Sequence, residues 1–179
     1  SGIGRTGTLF AYETSGIRPD IIAVAKGLGG GFPVGAVIAS AKVGNAMTPG
    51  THGSTFAGNP LAMAVSEAVL DTLTAPGFLA DVRRRADMLQ DALEKIADRH
   101  PDQIVEVRGR GFLRGVRLDP SLDAGAIVAA LRDHRLLTAP AGENTVRFLP
   151  PLVISEEEIA LAADIFGTVM AVNAAAMAS

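Results

Sequence analysis

The sequence predicts an α/β protein in two parts: residues 1–75 form part of a mainly parallel-sheet domain, and residues 76–179 form a smaller α+β domain. Three observations carry this. The unbroken apolar run Ile21-Ile22-Ala23-Val24-Ala25 follows Pro19-Asp20, which suits a strand buried on both faces of a parallel sheet. Pro76-Gly77 then interrupts the chain. Beyond that break, helical apolar stripes alternate with short strand patterns, the mixture expected of an α+β unit.

A chain of 179 residues is large for one small domain and short for two independent ones. Its apolar content of 48% and positive mean hydropathy are high for a soluble monomer, so some apolar surface is expected to be covered by a partner or by further chain. The first residue is Ser1 and the sequence opens inside a glycine-rich loop, so the expectation is a fragment. A net charge of -3 argues against a nucleic-acid partner, and Arg83-Arg84-Arg85 is balanced by Asp81, Asp87 and Asp91 on one helix. The absence of cysteine excludes disulfides, thiolate catalysis and cysteine zinc sites, and no metal is expected. No apolar run is long enough for a bilayer and no signal peptide starts the chain, so the expected location is cytoplasmic, with no membrane partner.

In chain order, Gly2-Ile3-Gly4-Arg5-Thr6-Gly7 matches the dinucleotide fingerprint as a string. Its context does not fit: no strand precedes it, and Asp20 stands before an apolar strand instead of after one. A connecting loop is the better reading, with a nucleotide-binding oxidoreductase using Gly2, Gly4 and Gly7 as the alternative from another class. Residues 8–15 read as a short helix closed by Gly16. Residues 33–40 read as a second buried strand, residues 41–47 as a helical turn, and residues 50–56 as a loop of glycines and hydroxyls, by itself an ordinary polar loop, with phosphate binding through exposed amides and the Ser and Thr hydroxyls as the functional alternative. Asn59-Pro60 is a helix start reaching about Leu73.

In the second part, Phe78, Val82, Ala86, Leu89, Leu93 and Ile96 trace a core-facing helical stripe. Residues 104–108 and 112–118 flank Gly109-Arg110-Gly111 as a hairpin, with Arg108, Arg110, Arg114 and Arg117 expected to face outward and anion binding by one of them as the alternative. A helix over 124–134, strands over 136–139 and 145–149, and a last helix opened by the Ser155 to Glu158 capping box complete the pattern, which ends in a fraying alanine-rich tail.

Lys26 is the residue with the clearest chemistry. It ends the apolar run and is followed by Gly27, Gly29, Gly30 and Gly31, which permit positive φ and close approach. Lys42 and Lys95, the other two lysines, lie in segments that read as solvated. The expectation is a lysine delivered to a tight pocket, where withdrawal from water favours the neutral amine that condenses with a carbonyl. The alternative is a strand-end lysine that extends its charge to the surface.

The segments GIGRTG, PDIIAVAKGLGGGFPVGA, THGSTFAGNPLA, VRGRGFLRGVRL and VRFLPPLVISEEEI occur in an order that resembles the second half of class III aminotransferases, in the pyridoxal-phosphate fold type I group. The resemblance covers nearly the whole chain. It implies the end of the large sheet domain followed by the small C-terminal domain, with pyridoxal 5'-phosphate as cofactor and a homodimer whose active site lies at the subunit interface. Lys26 would hold the cofactor and move a proton, Thr55 would reach the cofactor phosphate of the neighbouring subunit, Ser54 would lie near the substrate, and Arg147 would take a substrate carboxylate. For Arg147 the alternative is a surface arginine on an edge strand. An amino donor and 2-oxoglutarate are the implied substrates. Pro140-Ala141-Gly142 leading into Val146-Arg147-Phe148 resembles the branch acting on N-acetylornithine in arginine biosynthesis, with ornithine, succinylornithine or 4-aminobutyrate as alternative donors. The resemblance also implies upstream residues, including an aspartate for the pyridine nitrogen, that this chain does not contain, so alone it is expected to be inactive.

Overall fold

The structure is a computed structural model that describes residues 2–177. The chain divides between Leu79 and Ala80 into two compact units.

In the first unit the opening glycine loop folds as successive turns. Gly4 N–H donates to the Leu9 carbonyl and Gly7 N–H to the Gly4 carbonyl, both at 3.0 Å, with Ile3 buried beneath. A 3-10 turn, Ala11–Ser15, stops at Gly16 with φ 66°. Strand β1 (Ile21–Val24) then pairs with β2 (Ala36–Ala39), and Ser40 N–H closes the pair on the Asp20 carbonyl at 2.8 Å.

That pairing is antiparallel, with Ile21 opposite Ala39 and Val24 opposite Ala36, so the parallel neighbours the sequence predicts for β1 are not among the described residues. Ile21, Val37 and Ile38 are 55%, 71% and 47% exposed. A two-stranded ribbon cannot cover its own faces. The apolar run records a need for burial that the described residues of this unit do not meet.

A short helix α1 (Ala41–Gly44) leads to the exposed loop, and α2 (Pro60–Thr74) starts as the sequence predicts. Asn59 accepts the Ala62 N–H at 2.9 Å, and Pro60 occupies the first helical position, where no N–H is needed.

The second unit places its helices against a four-stranded antiparallel sheet. α3 (Phe78–Arg99) buries Val82, Ala86, Leu89, Leu93 and Ile96, as their spacing requires. The sheet contains β3 (Ile104–Arg110), β4 (Leu113–Leu118), β5 (Ala139–Ala141) and β6 (Thr145–Phe148), in the order β3-β4-β6-β5. Helix α4 (Ala124–Asp133) is capped by Asp123, and α5 (Glu156–Met177) by the predicted box: Ser155 N–H donates to Glu158 at 2.8 Å and Glu158 N–H to Ser155 Oγ at 3.1 Å. The helix runs through the alanines to Met177; the expectation for residues 178–179 lies outside the described residues.

Three expectations shift here. β3 continues through Gly109 to Arg110, which pairs with Leu113, so the turn is Gly111-Phe112. Gly109 can stay in the strand because it has no side chain: at φ 125°, a Cβ there would lie 2.0 Å from the Leu113 carbonyl oxygen. Residues 136–138 are not strand, because the Leu136 N–H turns back to the Leu131 carbonyl at 2.9 Å and completes the end of α4. Arg114 faces inward and is 5% exposed. Strand alternation places it on the same face as Val116 and Leu118, its guanidinium donates to the Gly109 carbonyl at 2.8 Å, and burial pushes its pKa below the ordinary arginine value.

That buried face meets the helices, with the Phe148 ring edge-on to Phe166 at 5.3 Å. The opposite face holds a single row in which Arg108 of β3 stands opposite Gly115 of β4, and Gly115 opposite Arg147 of β6.

Candidate active site

Lys26 follows the last residue of β1 by two positions and opens the 3-10 turn Lys26–Gly29. Its backbone is left-handed, φ 51°, after an extended Ala25. A non-glycine residue held there carries about 1–2 kcal/mol of strain, which persists only where the surroundings impose it. They impose it through the glycines. A Cβ on Gly29 would lie 2.7 Å from Val34 Cγ1, one on Gly30 3.0 Å from Val69 Cγ2 of α2, and one on Gly27 3.7 Å from the Ile3 carbonyl oxygen. The turn is therefore pressed between the opening loop, β2's approach and α2, with Leu28 and Gly29 buried, and Lys26 is turned outward.

This places the amine differently from the sequence expectation. Lys26 is exposed within the chain, and its Nζ makes no hydrogen bond or ion pair among the described residues. Among the described residues nothing encloses it: the neighbouring Gly27, Gly30 and Gly31 offer no side chains.

Ser54 and Thr55 sit together in a turn closed by the Ala57 N–H on the Ser54 carbonyl at 3.1 Å. Asn59 fixes the turn's exit through Nδ2 to the Phe56 carbonyl at 2.9 Å, leaving both hydroxyls exposed and uncommitted. No hydrogen bond joins them to Lys26 among the described residues.

Arg147 lies in the second unit. β6 is hydrogen-bonded on both sides, to β4 and to β5, so the edge-strand alternative does not hold. The side chain is half-buried, its Nε is buried without a hydrogen-bond partner, and it forms no ion pair among the described residues. Beside it opens a cavity of about 270 Å³ whose lining includes Arg108, Leu113, Gly115, Thr145 and Arg147. A planar, unpaired guanidinium at such an opening suits a carboxylate, which it can grip through two parallel bonds.

Arg108, one of the hairpin arginines named from the sequence, lines this opening, and its partner Glu143 was not singled out. Arg108 donates to Glu143 at 2.6 Å and to Thr145 Oγ1 at 3.2 Å, and Glu143 is presented by a hairpin turn in which both it (φ 58°) and Asn144 (φ 52°) are left-handed. Glu-Asn between two strand-like runs is the one sequence signal that marks such a turn.

The donors of the first unit fit pyridoxal phosphate in their chemistry: one primary amine without a partner among the described residues, and two uncommitted hydroxyls in an amide-rich turn. Among the described residues no group of three or more His, Cys, Asp or Glu could hold a metal ion, and no helix is long and apolar enough to cross a membrane.

Residues 1–170 match the aminotransferase class-III family, and the chain belongs to it. Enzymes of this class use pyridoxal 5'-phosphate. Among particular relatives, the chain is 50% identical over 159 residues to acetylornithine aminotransferase 1 of Bradyrhizobium diazoefficiens, an alignment covering 89% of the chain and 39% of that protein. The chain thus spans about two fifths of the length of the curated relatives it matches. Among solved structures, N-acetylornithine aminotransferase from Stenotrophomonas maltophilia superposes with a TM-score of 0.85 at 38% identity, over 98% of this chain and 46% of that one. Ornithine aminotransferase from Toxoplasma gondii, whose active site holds PLP at partial occupancy, superposes with a TM-score of 0.87 at 35% identity, over 95% of this chain and 41% of that one. The nucleotide-binding alternative for Gly2, Gly4 and Gly7 falls with the family assignment.

Proposed function

We propose that this chain is the lysine-bearing and C-terminal portion of a pyridoxal-phosphate aminotransferase that moves the amino group of N-acetylornithine to 2-oxoglutarate in arginine biosynthesis. The observation that carries the reading is Lys26, an unpaired amine in a strained turn at the end of an apolar strand, in a chain half identical to acetylornithine aminotransferases. The cofactor, when bound, supplies an aldehyde and an electron sink that stabilises negative charge on the substrate carbon. Lys26 Nζ would hold it, and the same amine would move the proton at the substrate carbon bearing the amino group. Thr55 Oγ1 donates to the cofactor phosphate across a homodimer interface, with Ser54 facing the substrate beside it. Arg147 orients the substrate by its carboxylate.

The exposed apolar faces of β1 and β2 support a partner surface, which in the homodimer and the rest of the large domain would also exclude water from Lys26. The cytoplasm is the proposed location. A second donor, ornithine, is favoured by one specific observation: several of the similar solved structures are ornithine aminotransferases. Steady-state kinetics of the full-length enzyme separate the two. A kcat/KM for N-acetylornithine at least tenfold above that for ornithine is expected, and the reverse order would assign the enzyme to the ornithine branch.

A further inference from the structure

Capping α2 is a task that serine, aspartate and asparagine perform about equally well, since each offers a side-chain oxygen to the first free N–H groups of the helix. Asn59 does this through Oδ1, which accepts the Ala62 N–H at 2.9 Å. Its amide also carries a nitrogen that the cap does not use. That nitrogen donates to the Phe56 carbonyl at 2.9 Å. The partners fix which atom is which, an N–H on one side and a carbonyl on the other.

The second bond reaches the turn that bears the two hydroxyls. Ser54 to Ala57 closes through the Ala57 N–H on the Ser54 carbonyl at 3.1 Å, with Thr55 and Phe56 as its middle residues. A further turn follows at once: Gly58, left-handed at φ 69°, brings the Asn59 backbone N–H to 3.2 Å from the same Phe56 carbonyl. Two donors of one residue, the backbone N–H and Nδ2, therefore converge on the carbonyl of the residue after Thr55.

Helix α2 gives these bonds a fixed base. Its Ala62 and Leu73 are buried, and Val69 lies against the lysine turn, its Cγ2 3.0 Å from where a Cβ on Gly30 would stand. The Phe56 side chain is exposed and adds no packing to the turn among the described residues. The bonds from Asn59 thus set where Thr55 stands relative to the helix. A hydroxyl needs that restraint, because a displacement of about 1 Å takes an O–H donor out of range of its acceptor.

We propose that Asn59 is a positioning residue for the cofactor phosphate: by holding the Phe56 carbonyl while it caps α2, it fixes the place of Thr55 Oγ1. This rests on the reading of Thr55 as a phosphate-binding residue. Asn59 does not bind the phosphate itself, since Oδ1 and Nδ2 are both engaged within the chain, and it acts through Thr55.

The test titrates the full-length enzyme, freed of cofactor, with pyridoxal 5'-phosphate and separately with pyridoxal, which lacks the phosphate. Thr55→Val comes first. If it binds pyridoxal 5'-phosphate as tightly as the parent, or loses affinity equally for both ligands, the reading of Thr55 fails, and this inference with it. Where Thr55→Val weakens only the phosphorylated ligand, Asn59→Ser is expected to weaken that ligand about tenfold and to leave pyridoxal within about twofold of the parent. Serine keeps the cap and loses the nitrogen. The double variant Thr55→Val/Asn59→Ser is expected to stay within about twofold of Thr55→Val alone, because both substitutions act on one contact. Unchanged affinity in Asn59→Ser, an equal loss for both ligands, or a loss that adds to that of Thr55→Val would overturn the inference while leaving the role of Thr55 standing. Thermal melts within a few degrees of the parent identify variants that have folded. Should Asn59→Ser melt lower, Asn59→Thr, which also caps without the nitrogen, takes its place under the same expectations.

Discussion

Asn144 Oδ1 accepts the backbone N–H of Ala124 at 2.9 Å, tying the β5–β6 turn to the first turn of α4. The same amide donates to the Asp119 and Leu122 carbonyls at 3.0 and 2.9 Å, so a single side chain satisfies three backbone groups around the start of the helix. Replacement by alanine leaves those groups without partners and keeps a left-handed backbone that alanine resists. Asn144→Ala is expected to lower the unfolding free energy of the full-length enzyme by about 2–4 kcal/mol in urea denaturation. Asn144→Asp keeps the acceptor and loses the two donors, and is expected to fall between.

Gly109 makes a sharper demand. A Cβ placed 2.0 Å from the Leu113 carbonyl oxygen meets backbone on the neighbouring strand, which cannot move without breaking the β3–β4 ladder. Gly109→Ala is expected to destabilise by more than about 3 kcal/mol or to prevent folding. Gly142→Ala, where nothing lies within 4 Å and φ is ordinary, is expected to stay within about 0.5 kcal/mol of the parent. Paired thermal melts decide the matter.

Acid stability follows from the surface carboxylates of the second unit. The Arg84 hydrogen bond holds Asp81 below the ordinary carboxylate value, the Ser121 backbone N–H does the same for Asp119, and the Arg108 hydrogen bond does so for Glu143. A folded-state pKa below the unfolded one means that the unfolded chain binds more protons in acid. The contribution is therefore complete above the ordinary values of 3.8 and 4.5 and is lost as pH falls through and beneath them. Unfolding midpoints of the full-length enzyme are expected to hold steady above about pH 5 and to fall below it. Asp81→Asn is expected to flatten that fall.

Much of this arrangement was legible because local chemistry fixes it. Asn59-Pro60 and the Ser155 to Glu158 box start helices by satisfying backbone donors, and no distant residue needs to be known. The stripe from Val82 to Ile96 fixed which face of α3 is buried for the same reason. The parts that were not legible depend on neighbours. Alternation along β4 was clear, but which face the helices cover was not, so Arg114 and Arg117 could not be told apart. The apolar run of β1 signalled burial, whereas the direction of its partner strand and the surface that covers it belong to tertiary structure. At the site, the amine was identifiable from its type and its glycines, but its left-handed backbone was not. The pairing of Arg108 with Glu143 escaped notice because 35 residues separate them and only the sheet register brings them together.

The central claim is that Lys26 is the amine that holds the cofactor. The direct measurement is to load the full-length enzyme with pyridoxal phosphate, reduce it with borohydride, digest it and locate the pyridoxyl group by mass spectrometry. The account predicts a single modified peptide carrying Lys26, and loss of both the label and transamination in Lys26→Ala. A pyridoxyl group on Lys42, on Lys95 or outside this chain, with Lys26 unmodified, would contradict it.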